Sequence, residues 1–212
     1  MSRHAKLAVR IAAAFSALVL SAFPVNAQEA PTASRAEWDI APFIGAAQRS
    51  PVGASWGVTP DRNLLVLGVH LRTSVLRAGP LALVYAPNVM PLMRLTHTPA
   101  GSTEAEPPAL GFGVAPLGIG VRLNMDENVT LFGSGAAGAT WFSREVPIEG
   151  ARAFNVSIEW GGGLEIRTAY GPALHVGYKF LHLSNVYTAT ENPGVDAHLF
   201  YLGARWVVTG PR

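Results

Sequence analysis

Apolar and small residues recur along the chain in runs of about ten residues, each closed by Gly, Pro, Asn or Asp, the residues that favour turns. The runs fall at Trp38–Ala46, Leu64–Val75, Leu81–Leu95, Ala109–Asn124, Val129–Trp141, Phe154–Ala169, Ala173–Leu183 and His198–Val208, and they predict eight β-strands. Most reach the roughly 9–11 residues that a tilted strand needs to cross a bilayer. The links between them alternate in length: Leu76–Pro80, Met125–Asn128 and Tyr170–Pro172 are short, whereas Ala47–Asn63, Thr96–Pro108, Phe142–Ala153 and Ser184–Ala197 are long. A barrel inserted from the periplasm has short turns on that side and longer loops outside, and an even strand count lets the sheet close with both ends on one side. The sixth run shows the faces: Phe154, Val156, Ile158 and Trp160 share one parity and predict a lipid-facing row, while Asn155, Ser157 and Glu159 share the other. Glycines at Gly133, Gly135, Gly138 and Gly161 to Gly163 suit the coiling of a narrow barrel. A soluble β-sandwich with Gly-rich strands is the alternative.

The first 27 residues change the picture from any β protein to an exported one. Arg3, Lys6 and Arg10 precede an apolar run from Ile11 to Phe23, and Val25-Asn26-Ala27 forms a small-x-small site. This reads as a signal peptide spanning residues 1–27, followed by a single barrel domain at 28–212. Three of the 16 basic residues lie in that leader, so the remainder carries 13 against 14 acidic residues and gives no basis for nucleic-acid binding. The chain is 49% hydrophobic and 14% charged, with 22 glycines, yet it has no second apolar run of the length a membrane helix needs. Hydrophobicity of that kind after an export signal fits an outer-membrane barrel. With no cysteine, disulfide scaffolds, thiolate metal sites and a cysteine-linked lipid anchor are excluded. The expected fold is therefore all-β: an eight-stranded antiparallel transmembrane β-barrel in the outer membrane, preceded by a cleaved signal peptide. One departure from the habit of such barrels is that the chain ends Trp206-Val207-Val208-Thr209-Gly210-Pro211-Arg212 rather than on an aromatic residue.

Candidate chemistry gathers near the last long link. His182 and Ser184 emerge on the same face of a strand, about 6.5–7 Å apart along it. Lys179 lies on the opposite parity, which a lumen tolerates better than lipid does, so the His/Ser face looks into the membrane. Across the hairpin, Asp196 shares parity with the apolar face of the final strand and stands beside them. A hydroxyl, an imidazole and a carboxylate are the groups that nucleophilic acyl transfer needs: a nucleophile, a base for its proton, and an acid group that orients the base. A His two residues from a Ser in a strand is common by chance, and a Pro-Gly turn alone is ordinary loop chemistry. Position at a strand end, with a carboxylate at hairpin distance, is what lifts the group above that background.

The segments His182-Leu183-Ser184-Asn185, Asn192-Pro193-Gly194-Val195-Asp196 and Leu199-Phe200-Tyr201-Leu202-Gly203 together resemble the C-terminal signature of the PagL-type lipid A 3-O-deacylases and the related acyloxyacyl hydrolases. The resemblance covers about 25 residues of this hairpin. It implies an eight-stranded outer-membrane serine esterase with a Ser-His-Glu triad. Carried over by position, His182 is the base, Ser184 the nucleophile and Asp196 the residue where the family has glutamate. Asn192, with backbone N–H groups after Ser184 beginning at Asn185, is assigned to the oxyanion and substrate site. Asp196 is one methylene shorter than glutamate, so contact with His182 requires the backbone to bring the two residues closer. Val186 and Tyr187 stand where the family tends to have small residues.

The function implied is removal of an ester-linked acyl chain, at the 3-O position, from lipid A of lipopolysaccharide. The partners implied are that lipid in the outer leaflet and the outer membrane itself, with a homodimer left open and no nucleic acid. Arg49, Arg144 and Arg152 are candidate phosphate or core-sugar contacts, although loop arginines more often only keep a surface wet. His70, His97, His175 and His198 make no metal-ligand spacing, and no metal or cofactor is expected. The alternative function is a non-catalytic structural or adhesive barrel with a degenerate hairpin. A lumen-binding transporter is disfavoured, because about eight strands leave room only for side chains.

Overall fold

The computed structural model describes residues 37–48, 50, 56–98 and 106–209. The expected signal peptide, the spacer after it and Arg49 lie outside the described residues. The described chain is a ring of antiparallel strands: β1 (Glu37–Ala47), β2 (Arg62–Ala78), β3 (Leu81–Tyr85), β4 (Asn88–His97), β5 (Ala109–Asn124), β6 (Val129–Val146), β7 (Arg152–Ile166), β8 (Ala173–Ser184) and β9 (Val195–Thr209). β3 and β4 each pair with β2 and β5, the other strands pair in sequence order, and β1 pairs with both β2 and β9, which closes the sheet. Since β3 and β4 are two halves of one barrel strand, the ring has eight staves.

Three boundaries differ from the sequence expectation, each for a physical reason. The third run breaks at Ala86-Pro87, because proline has no N–H to give the ladder. Around the break the Ala86 amide donates to Gly118 O at 3.0 Å and the Leu71 amide to Pro87 O at 2.9 Å, so the ring stays continuous. Strand β6 runs on through Ser143, Arg144 and Glu145, which had read as loop. Phe142 and Val146 are still buried, 1% and 3% exposed, and anchor the strand on either side of a register shift between Trp141 and Val146. Strand β9 begins at Val195 rather than His198. Val195 and Ala197 turn inward and are buried, so Asp196 between them is driven to the outer face.

The face rule from the sixth run holds. Phe154, Ile158 and Trp160 are exposed, whereas Asn155, Ser157 and Glu159 are buried in the lumen. The lumen itself has two zones. Near the short-turn end, Arg122 reaches Asp39 Oδ2 and Glu165 Oε2, each at 2.7 Å, Arg205 reaches Asp39 Oδ1 at 2.9 Å, and Arg72 pairs with Glu165. Near the long-link end, Leu64, Val66, Met93, Phe142, Leu181, Leu183, Val195 and Leu199 form an apolar plug. Charged residues inside membrane-crossing strands cannot face lipid cheaply, and mutual pairing offsets the cost of holding them in the interior. Among the described residues these two zones fill much of the lumen with side chains, and the groups singled out in the sequence stand on the outer wall and at the rim.

Candidate functional site

The β8–β9 hairpin sets the geometry. Leu181 and Leu183 anchor β8 in the apolar plug, and this fixes Phe180, His182 and Ser184 on the outer face. In the ladder His182 is directly opposite Asp196, with Leu183 opposite Val195. Direct cross-strand partners bring their Cβ atoms to about 4.5–5.5 Å. Aspartate is therefore long enough: His182 Nδ1 and Asp196 Oδ1 are 2.6 Å apart. The extension of β9 to Val195 is the backbone adjustment that the shorter acid requires.

With Nδ1 directed at the carboxylate, Nε2 is the ring nitrogen left for a hydroxyl. His182 is 9% exposed and Asp196 1% exposed, although both stand on the outer wall. They are covered by the β1–β2 link, whose Trp56 ring lies edge-on to His182 with centroids 5.4 Å apart. Trp56 also meets Trp160 at 5.1 Å and Phe180 at 6.4 Å, both on the outward face. The Trp56 amide donates to Asp196 Oδ2 at 3.1 Å, so each carboxylate oxygen has a donor.

Ser184 closes β8, opposite Val156 of β7. Its hydroxyl donates to Asn192 Oδ1 at 3.0 Å and accepts from the Val186 amide at 3.2 Å. The Asn185 amide donates to the same Asn192 oxygen at 2.9 Å, and the Asn185 side chain donates to Glu191 O at 2.7 Å. An acceptor facing two donors fixes which way the Asn192 amide points. The two asparagines thus hold the loop after the serine from both of its ends. Val186 and Tyr187 have φ of 48° and 61°, the left-handed region that non-Gly residues enter at a cost. Gly194, with φ of 64°, makes the return turn, and a Cβ there would stand 3.1 Å from His182 Cε1.

All five residues singled out in this hairpin, His182, Ser184, Asn185, Asn192 and Asp196, come together at one corner of the rim. His182 is joined to Asp196, and Ser184 to Asn192. The loop arginines are otherwise engaged: Arg152 gives Nε and Nη2 to Thr188 O at 3.1 and 2.8 Å, and Arg144 pairs with Glu106 at 3.6 Å and donates to Pro107 O. Sequence reasoning did not find Trp56. A tryptophan in a long polar link is a signal for the membrane interface, but nothing in the chain connects it to an aspartate 140 residues away.

The family model of the lipid A 3-O-deacylase PagL matches residues 82–205. Among solved structures, the crystal structure of the outer membrane enzyme PagL is similar with a TM-score of 0.54 at 16% identity, covering 78% of this chain and 97% of that one. The crystal structure of Ail, the attachment invasion locus protein of Yersinia pestis, is similar at 0.48 and 16%, covering 82% of this chain and 100% of that one. Among curated proteins, none matches the chain.

Proposed function

Because this chain belongs to the lipid A 3-O-deacylase (PagL) family and is an outer-membrane β-barrel, we propose that it is a serine esterase that removes the 3-O-linked acyl chain of lipid A. The observation that carries the reading is the 2.6 Å contact between His182 Nδ1 and Asp196 Oδ1 on the outer wall, two residues along β8 from Ser184. The substrate ester lies in the outer leaflet, level with this rim, and reaches the site laterally. Export through the leader at residues 1–27 is part of the same proposal.

In the proposed reaction His182 Nε2 takes the Ser184 proton as Oγ attacks the ester carbonyl. Asp196 holds the tautomer that leaves Nε2 free and stabilises the imidazolium. The oxyanion takes hydrogen bonds from amides of the loop after Ser184, and attack draws Oγ away from Asn192 Oδ1. Collapse breaks the ester C–O bond, and His182 returns the proton to the sugar hydroxyl. Water then adds to the acyl-enzyme with His182 again as base, releasing a fatty acid and restoring Ser184. The three groups come from one hairpin of one chain, so a homodimer forms no part of the reading.

Lipid A extracted from outer membranes containing wild-type protein or Ser184→Ala, both checked for folding by heat-modified gel migration, tests the proposal. The wild type yields lipid A lighter by one hydroxyacyl chain and Ser184→Ala does not. Unaltered lipid A with folded wild type overturns the esterase reading in favour of a structural or adhesive barrel with a degenerate hairpin.

A further inference from the structure

Asp196 raises a question that the hairpin alone does not answer. Its carboxylate is 1% exposed on the wall that faces lipid, and β8 supplies a donor for only one of its oxygens. A charged oxygen buried without a donor is expensive. The missing donor comes from the β1–β2 link. Trp56 N–H meets Oδ2 at 3.1 Å. The segment is docked on the hairpin turn by two further amides, Val58 to Pro193 O at 2.8 Å and Thr59 to Gly194 O at 3.3 Å. Its other end is tied back through Ser50, whose hydroxyl donates to Thr59 O at 2.6 Å and accepts the Arg62 amide at 3.0 Å.

Gly57 is what lets the link approach. A Cβ at this position would stand 2.6 Å from the Asp196 amide nitrogen, 2.8 Å from Val195 C and 3.0 Å from Asp196 Oδ1. Two of those three atoms are backbone, so any side chain at residue 57 has to lift the link off the hairpin. The Trp56 indole, half exposed, rests edge-on against Trp160, Phe180 and His182, which places a wall of aromatic carbon between the His182–Asp196 pair and water.

We propose that residues 56–59 of the β1–β2 link are a positioning element for the esterase: the Trp56 amide fixes Asp196 so that its other oxygen faces His182, and the indole dries the pair. The proposal rests on the esterase reading for its kinetic consequence, but its structural core is independent of turnover. The dyad is complete only when two loops far apart in sequence are in contact, so assembly of the barrel rim and assembly of the base are one event.

The test compares wild type, Gly57→Ala, Trp56→Ala and Trp56→Phe, each folded in detergent micelles. The proposal expects kcat to fall about 100-fold in Gly57→Ala, the order of loss that an ångström-scale misplacement brings, with KM within about two-fold. Trp56→Ala loses about ten-fold in kcat, and Trp56→Phe recovers most of it, since an aromatic edge still covers the pair. The second readout is the downfield Nδ1 proton resonance of His182. It is present in wild type and in Ser184→Ala and is lost from Gly57→Ala. Val58→Pro, which removes an amide docking the link on Pro193, takes the place of Gly57→Ala should that variant not fold. A wild-type kcat and an unchanged His182 resonance in a folded loop variant overturn the proposal, as does a rise in KM alone, which marks a lipid-contact surface. Loss of the esterase reading leaves the resonance test standing, so the two failures are distinguishable.

Discussion

Two histidines of β8 stand directly opposite a carboxylate: His175 opposite Glu165 on β7, and His182 opposite Asp196 on β9. They lie seven positions apart, an odd offset, so the first pair faces the lumen and the second the outer wall. In the lumen, His175 Nδ1 is 3.4 Å from Glu165 Oε1, its Nε2 is engaged by His70 Nδ1 at 3.0 Å, and its ring is stacked on Phe132. Glu165 also serves Arg72, Arg122 and Arg205. On the wall, among the described residues, Asp196 is held by His182 Nδ1 and the Trp56 amide. The same two functional groups thus make a many-partnered cluster in one place and a sparsely bonded pair in the other. What separates them is how many partners each nitrogen and oxygen already has.

The comparison can be broken by exchanging which pair is damaged. His182→Ala is expected to lower kcat on the order of 10⁶-fold, as loss of the base does in other serine hydrolases, while His175→Ala leaves kcat per folded molecule unchanged; acyl release from lipid A in micelles measures both. Asp196→Asn, which keeps shape but removes the charge that fixes the tautomer, is expected to cost on the order of 10⁴-fold in kcat. Its counterpart Glu165→Gln is expected to leave kcat alone and to lower stability by about 3–5 kcal/mol in urea unfolding, because it strands buried arginines. A loss of activity in folded Glu165→Gln would erase the distinction between the pairs.

Smaller effects sharpen it. Asp196→Glu restores the residue expected in the family, yet the site is filled by the Trp56–Thr59 segment, and an added methylene overpacks it. The expected loss is about ten-fold in kcat; a gain would mean that the hairpin is spaced for glutamate. Val186→Gly removes a β-branched residue from φ of 48° and is expected to stabilise the folded state by about 1 kcal/mol in the same urea titration.

Much of this was legible in the chain. Turn residues set the strand count, parity set the faces, and His182, Ser184 and Asp196 were found on one face because alternation is strict in a strand. The illegible parts share a cause: they depend on contacts that no local pattern encodes. Asp196 reads as link because Asn192-Pro193-Gly194 just before it is a turn signal, and only the inward burial of Val195 and Ala197 extends β9 over it. The Ser143-Arg144-Glu145 stretch reads as loop because charge suggests water, yet β6 carries it as an irregular stretch between the Trp141–Phe154 and Val146–Arg152 pairs. Trp56 covers the site from the far end of the sequence. The lumen cluster was partly readable, since Asp39, Arg72, Arg122, Glu165 and Arg205 lie inside strand runs where lipid would refuse them. Which of them pair is a property of the closed ring.

The central claim is that Ser184 is activated by the outer pair and not by the inner one. Labelling with a lipophilic fluorophosphonate, read as the mass of the peptide containing Ser184, tests it most directly. The account predicts one adduct on Ser184 in wild type and in His175→Ala, and none in His182→Ala. Equal labelling of wild type and His182→Ala, or no labelling of folded wild type, would contradict it.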